Sequence, residues 1–236
     1  MLSDFANLEN LITFNSMKIF EIGKIIRKIQ ECRQNSSPTA VESFIELNKK
    51  RNPFKVLIST IISLRTKDEV TYKASKALFK LASTPQRMSL LTLKQIQNAI
   101  YPCGFYKNKS KIINNISKRI LNEYNGKTPD SINELLKFKG VGRKTANLVI
   151  ILGYNKLGIC VDTHVHRIFN RIGYVDTKSP DETENELRKK LPKKYWMPIN
   201  SLFVFYGQKI CKPISPYCSK CTINEDCKKK GVTTKR

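Results

Sequence analysis

Four cysteines, Cys211, Cys218, Cys221 and Cys227, follow one another as C-x6-C-x2-C-x5-C within 17 residues. One close pair flanked by wider steps suits a chain folding round a cubane iron–sulfur core, each thiolate reaching a different corner. Two close pairs are the commoner zinc pattern, and zinc stays an alternative on spacing alone. Cys32, Cys103 and Cys160 are scattered and read as small core residues. A second loaded stretch, Leu135 to Leu148, reads LLKFKGVGRKTANL: a helix ends, Gly140-Val141-Gly142 turns, and another helix starts. Glycines in such a hairpin open backbone angles closed to other residues and let a DNA strand approach until amide N–H groups meet phosphate. Lys144 falls in the first turn of the second helix beside Arg143, where the positive end of the dipole disfavours a further ammonium charge. An amine so placed can attack an electrophilic carbon and form a Schiff base, or it can simply add phosphate-binding charge. In Val161-Asp162-Thr163-His164, Asp162 stands where a helix N-cap belongs, which by itself would explain an aspartate there.

The chain that must carry these groups has 236 residues, 43 basic against 19 acidic, for a net charge of +24. Such an excess seeks a polyanion. Lys107, Lys109, Lys111, Lys118 and Arg119 occur without an intervening acid, as do Lys137, Lys139, Arg143 and Lys144. Basic residues spread through structured-looking segments, rather than along one amphipathic arm, favour nucleic acid over a membrane surface. The longest strictly apolar run, Leu148 to Leu152, falls far short of the roughly 20 residues a span needs, so no membrane partner is expected. Asp4 and Glu9 replace the basic and apolar regions of a secretory signal. A reducing compartment is therefore expected, cytoplasmic and nucleoid-associated, or nuclear in a eukaryote.

Periodicity is helical almost throughout, beginning with Ile19, Ile22, Ile26 and Ile29 on one face, and strand-like alternation is missing. Helices are expected at 38–48, 53–64 with Pro53 in its first turn, 69–82, 92–100, 107–124, 130–138, 143–153, 163–172, 181–190 and 196–206. Ser83–Pro85, Pro102–Gly104, Asn125–Pro129 and Gly173–Pro180 read as turns between them. The fold class is all-α. Residues 1–16, which precede a second methionine, Met17, read as an N-terminal extension, and Lys228, Lys229, Lys230, Lys235 and Arg236 as a frayed basic tail.

LLKFKGVGRKTANLVI, VDTHVHR and the four-cysteine pattern together resemble the endonuclease III family of DNA glycosylases. The likeness runs from about residue 46 to Cys227, with NPFKVLISTIISLRTKD and GFYKNKSKI in the family's order. The resemblance implies two helical domains with a cleft between them: a six-helix barrel with the helix-hairpin-helix over 46–156, and an iron–sulfur domain from 17–45 with 157–236. It implies Lys144 as nucleophile, Asp162 as the essential carboxylate, and Cys211, Cys218, Cys221 and Cys227 as ligands of a [4Fe–4S] cluster. Gly140, Gly142, Arg143, Lys109 and Lys139 would meet DNA. Arg65 stands where the family commonly has a glutamine that fills the vacated space in the duplex, and Phe105 where it often has a leucine wedge. Ser63, Asp68 and His164 match positions near the base pocket, although a cap or an orienting role would also account for them. The implied activity is that of a monomeric DNA glycosylase and apurinic/apyrimidinic lyase acting on double-stranded DNA with oxidised pyrimidines or abasic sites. A monofunctional mismatch glycosylase on the same scaffold, which typically lacks a lysine at this position, and a non-catalytic iron–sulfur DNA-binding protein are the alternatives.

Overall fold

The structure, a computed structural model, describes residues 21–33 and 51–236. The expected 1–16 extension and 38–48 helix lie outside the described residues. Among these residues no strand occurs, and they group into two compact units, one of 51–158 and one of 21–33 with Ile159–Arg236.

The 51–158 unit is built round helix α2 (Pro53–Ser63), with helix α1 (21–33) belonging to the other unit. Pro53 opens α2 at a position whose N–H has no helical partner, and the Asn52 side chain caps the Lys55 amide at 3.0 Å. Phe54, Val56, Leu57, Ile58, Ile61 and Ile62 are buried on more than one face, as a central helix requires. Around it lie α3 (Asp68–Leu81), α4 (Pro85–Ser89), α5 (Leu93–Ile100), α6 (Tyr106–Tyr124), α7 (Ile132–Leu136) and α8 (Arg143–Leu148). Helix α8 runs on into a π-helical stretch, Val149–Gly153, where the sequence predicts plain α-helix to 153. A side chain at Gly153 would come within 2.8 Å of Pro53 Cα, so glycine is what lets this stretch close on the start of α2. Helix α4 occupies part of an expected turn; Thr84 caps it and Pro85 starts it, the same device as at Asn52-Pro53.

The second unit packs α9 (Thr163–Ile172) against α11 (Ile199–Lys209), with Phe169 and Phe203 stacked at 4.7 Å between ring centres. Ile22, Ile26 and Ile29 of α1 are buried in the same core, each worth about 1.5–3 kcal/mol of apolar burial. Helix α10 (Pro180–Lys190) packs on α9. The expected 196–206 helix begins instead at Ile199, because Lys193–Tyr195 forms a 3-10 turn and Pro198 takes the N-cap position. Cys103 and Cys160 are core residues as expected, but Cys32 is exposed near the end of α1, its thiol 3.4 Å from Thr222 Oγ1.

Candidate functional site

The hairpin is formed by α7, a turn through 137–142, and α8. Gly140 has φ 86°, a left-handed conformation that only glycine adopts at little cost, and a Cβ there would come within 2.9 Å of Ile112. Gly142 behaves differently from the expectation: its φ of −99° is ordinary, and its value lies in space. A Cβ at 142 would meet nothing within 4 Å, and the residue offers no side-chain cap to α8. An uncapped helix start with an open approach is a ready site for an anionic oxygen. Lys144 lies in this first turn with its side chain exposed; Lys139, on the turn, is exposed as well.

Asp162 is the N-cap of α9. One carboxylate oxygen accepts from the His164 amide at 2.9 Å and the Val165 amide at 3.0 Å, and the residue is 8% exposed. The carboxylate thus meets two N–H donors at the N-terminal end of a ten-residue helix. Lys144 belongs to the 51–158 unit and Asp162 to the other. The imidazole Nδ1 of His164 lies 3.1 Å from Arg167 Nη2, which also donates to Gly207 O and Cys211 O. Ser63 Oγ donates to Thr60 O at 2.8 Å, and Asp68 is the exposed first residue of α3, where a negative charge suits the helix start.

Arg65 and Phe105 are brought together. Both are exposed non-glycine residues in the left-handed region, with φ 52° and 59°, and the Arg65 guanidinium lies over the Phe105 ring at 5.5 Å from its centre. A left-handed non-glycine residue costs about 1 kcal/mol or more, and such strain is tolerated where the surroundings fix it. Phe105 is 63% exposed, unusual for a phenylalanine held in a turn.

Lys109 corrects the sequence reading. Expected at the DNA surface, it is only 4% exposed, and its ammonium donates to Ile62 O at 2.7 Å, Leu64 O at 2.6 Å and Thr66 Oγ1 at 2.8 Å. Those three acceptors match the three donors of an ammonium group. Burial is the main influence lowering its basicity, partly offset by Cys103. The side chain ties α6 to the C-terminal end of α2, and it does not present its charge to phosphate. Binding to undamaged duplex is therefore expected to lose about one unit of salt slope in Lys139→Ala but none in Lys109→Ala, measured as affinity against salt concentration. A shallower slope for Lys109→Ala would contradict its burial.

The four cysteines line one cavity together with Arg171 and Tyr206, all within the second unit. Arg171, only 8% exposed, donates to Cys211 Sγ at 3.3 Å and to Lys212 O and Pro213 O at 2.6 and 2.7 Å. Tyr206 Oη lies 3.2 Å from Cys221 Sγ, and the Lys229 amide donates to Cys227 Sγ at 3.4 Å. Burial pushes the Cys221 and Cys227 thiols up, with the hydrogen bonds from Tyr206 and the Lys229 amide acting against it. Among the described residues no group of three or more His, Cys, Asp or Glu side chains is drawn close enough to hold one metal ion. Sulfurs spaced around a cavity and surrounded by N–H and O–H donors fit a cluster, in which each sulfur meets its own iron. Sequence reasoning missed Arg167 and Arg171. Their signal was the four-residue step on α9, which turns both toward the cysteine-bearing loop.

A family model described as HhH-GPD superfamily base excision DNA repair protein matches residues 58–193. An endonuclease III of Thermotoga maritima is 46% identical over 187 residues, covering 79% of this chain and 88% of that protein. An endonuclease III of Bacillus subtilis is 35% identical over 178 residues, covering 75% and 81%. Among solved structures, a non-covalent endonuclease III–DNA complex superposes with a TM-score of 0.77 at 31% identity, covering 88% of this chain and 94% of that one. A thermostable thymine-DNA glycosylase reaches a TM-score of 0.76 at 19% identity, over 91% and 96%, a likeness of fold alone.

Proposed function

Because the chain belongs to the endonuclease III family within the HhH-GPD base-excision repair proteins, it is a DNA glycosylase of base-excision repair, and we propose that it works through Lys144 and Asp162. What supports this reading is an exposed lysine at the open start of α8 in one unit and, in the other, a buried carboxylate that caps the start of α9. The 51–158 unit would be the barrel domain with the hairpin, and the other unit the iron–sulfur domain.

An oxidised pyrimidine, weakly stacked, is flipped from the duplex at least cost. The Lys144 amine attacks the sugar C1′ as the bond to the base breaks and the base leaves with its electron pair. Asp162, fixed in place by its two amide donors, stabilises positive charge developing on the sugar and takes up the proton the amine must lose. Opening of the C1′–O4′ bond, with a proton passing to O4′, turns this adduct into an imine whose C2′ hydrogen is acidic; loss of that proton breaks the C3′–O bond and expels the 3′ phosphate, and water then releases Lys144. Gly140, Gly142, Arg143 and Lys139 would hold the backbone phosphates, which position the strand without reading sequence. Arg65 and Phe105 would fill the space the flipped nucleotide leaves, Phe105 by stacking. Ser63, Asp68 and His164 would line the base pocket.

Cys211, Cys218, Cys221 and Cys227 would hold the [4Fe–4S] cluster, which, when bound, cross-links the C-terminal loop and balances the four thiolate charges. In this reading the purified protein contains about four iron and four sulfide per chain, and a duplex with one thymine glycol yields free base and a nicked strand together. Stoichiometric zinc without sulfide would overturn the cluster. Base release with the strand left intact would make the enzyme monofunctional.

A further inference from the structure

Two turns that the sequence separates by about forty residues are bolted together by one buried side chain. The first follows α2 and carries Arg65; the second precedes α6 and carries Phe105. Lys109, in the first turn of α6, reaches across to Ile62 O, Leu64 O and Thr66 Oγ1 at 2.6–2.8 Å, so its three donors bracket Arg65 on both sides. At the same place Gly104 approaches the Arg65 carbonyl so closely that a Cβ would lie 2.6 Å from its oxygen. Arg65 and Phe105 are both held left-handed, and their side chains face each other at 5.5 Å. A cation placed on the last carbonyls of α2 meets the negative end of that helix, so the contact is favourable even though the ammonium is buried.

We propose that Lys109 is a positioning residue that locks the Arg65 and Phe105 turns into one preassembled wedge, on which base flipping from intact duplex depends. The inference rests on the reading of Arg65 and Phe105 as the residues that fill the vacated space. A wedge assembled before DNA arrives need not be ordered during flipping, which is where the lock would act. Cleavage of a strand that already lacks its base makes less demand on it.

Lys109→Met keeps the bulk and apolar stem of the side chain but removes all three donors, and Thr66→Val removes one acceptor while leaving Lys109 in place. Hydrogen exchange followed by mass spectrometry is expected to quicken by about tenfold or more in segments 62–68 and 102–108 of Lys109→Met, with 54–61 unchanged. Single-turnover excision of thymine glycol from intact duplex should fall by about tenfold or more, while cleavage at a preformed abasic site stays within about threefold. Thr66→Val should show the same pattern at smaller size, and Lys109→Met combined with Phe105→Ala should be no slower than Phe105→Ala alone. Unchanged exchange in a folded Lys109→Met or, if that variant does not fold, in Thr66→Val would overturn the lock. Equal losses on both substrates, or additive losses in the double variant, would overturn its role in flipping. If Phe105→Ala itself slows both substrates equally, the wedge reading falls and the flipping role with it, whereas the exchange result still decides whether Lys109 holds the two turns.

Discussion

Lys144→Ala is expected to abolish strand cleavage, lowering the single-turnover rate on a thymine glycol duplex by about three orders of magnitude or more, with affinity for undamaged duplex within a few-fold of the parent. The size follows from the role: no group beside Lys144 in the first turn of α8 can form an imine, since Arg143 is a guanidinium and Thr145 is buried. The fold should not suffer. Lys144 is exposed, alanine is the best helix former, and surface substitutions of this kind shift stability by about 0.5 kcal/mol or less. Binding should survive because Gly140, Gly142 and Lys139 are untouched. A variant that still nicked the strand at near the parental rate would place the nucleophile elsewhere.

Asp162→Asn is expected to cost about two to three orders of magnitude in turnover while moving the melting temperature by only a few degrees. Asparagine caps helices about as well as aspartate, so the bonds now made to the His164 and Val165 amides can persist through the side-chain oxygen. What disappears is the charge, the property that in the proposed reaction would stabilise the sugar cation and accept the lysine's proton. Asp162→Ala separates the two contributions: it should lose the same activity and about 1 kcal/mol of stability in addition, read by thermal or denaturant unfolding. Comparable stability loss in both variants, with activity largely kept in Asp162→Asn, would reduce Asp162 to a cap.

Much of the local geometry of the candidate site was legible because it rests on local rules. The cysteine spacing, the Asp162 cap, the glycine turn before Lys144 and the proline that starts α2 are all statements about neighbours in sequence. Long-range partners were the harder part. Lys109 stands among five basic residues that look alike in composition, yet on α6 it shares a face with Ile113, Ile116 and Ile120, whereas Lys111 lies on another. That register was the available sign that its charge turns inward, and the acceptors that make burial tolerable come from a different helix. Arg167 and Arg171 are a similar case, polar residues at a helical step that serve a loop some forty residues away. Helix α4 was hidden by its brevity, and the start of α11 by Trp196, an apolar residue that continues the helical pattern although it only caps the end of the 3-10 turn before α11. Gly142 shows the reverse: its type was read as a backbone requirement, and the structure makes it a matter of open space.

The central claim is that one lysine both displaces the base and breaks the strand, and it is tested most directly by reducing the covalent intermediate with borohydride and sequencing the peptide left on the DNA. With a thymine glycol duplex the account predicts a protein–DNA adduct whose linkage maps to Lys144, formed by the parent and missing from Lys144→Ala. Base release without a trappable adduct, or an adduct mapped to any other residue, would contradict it.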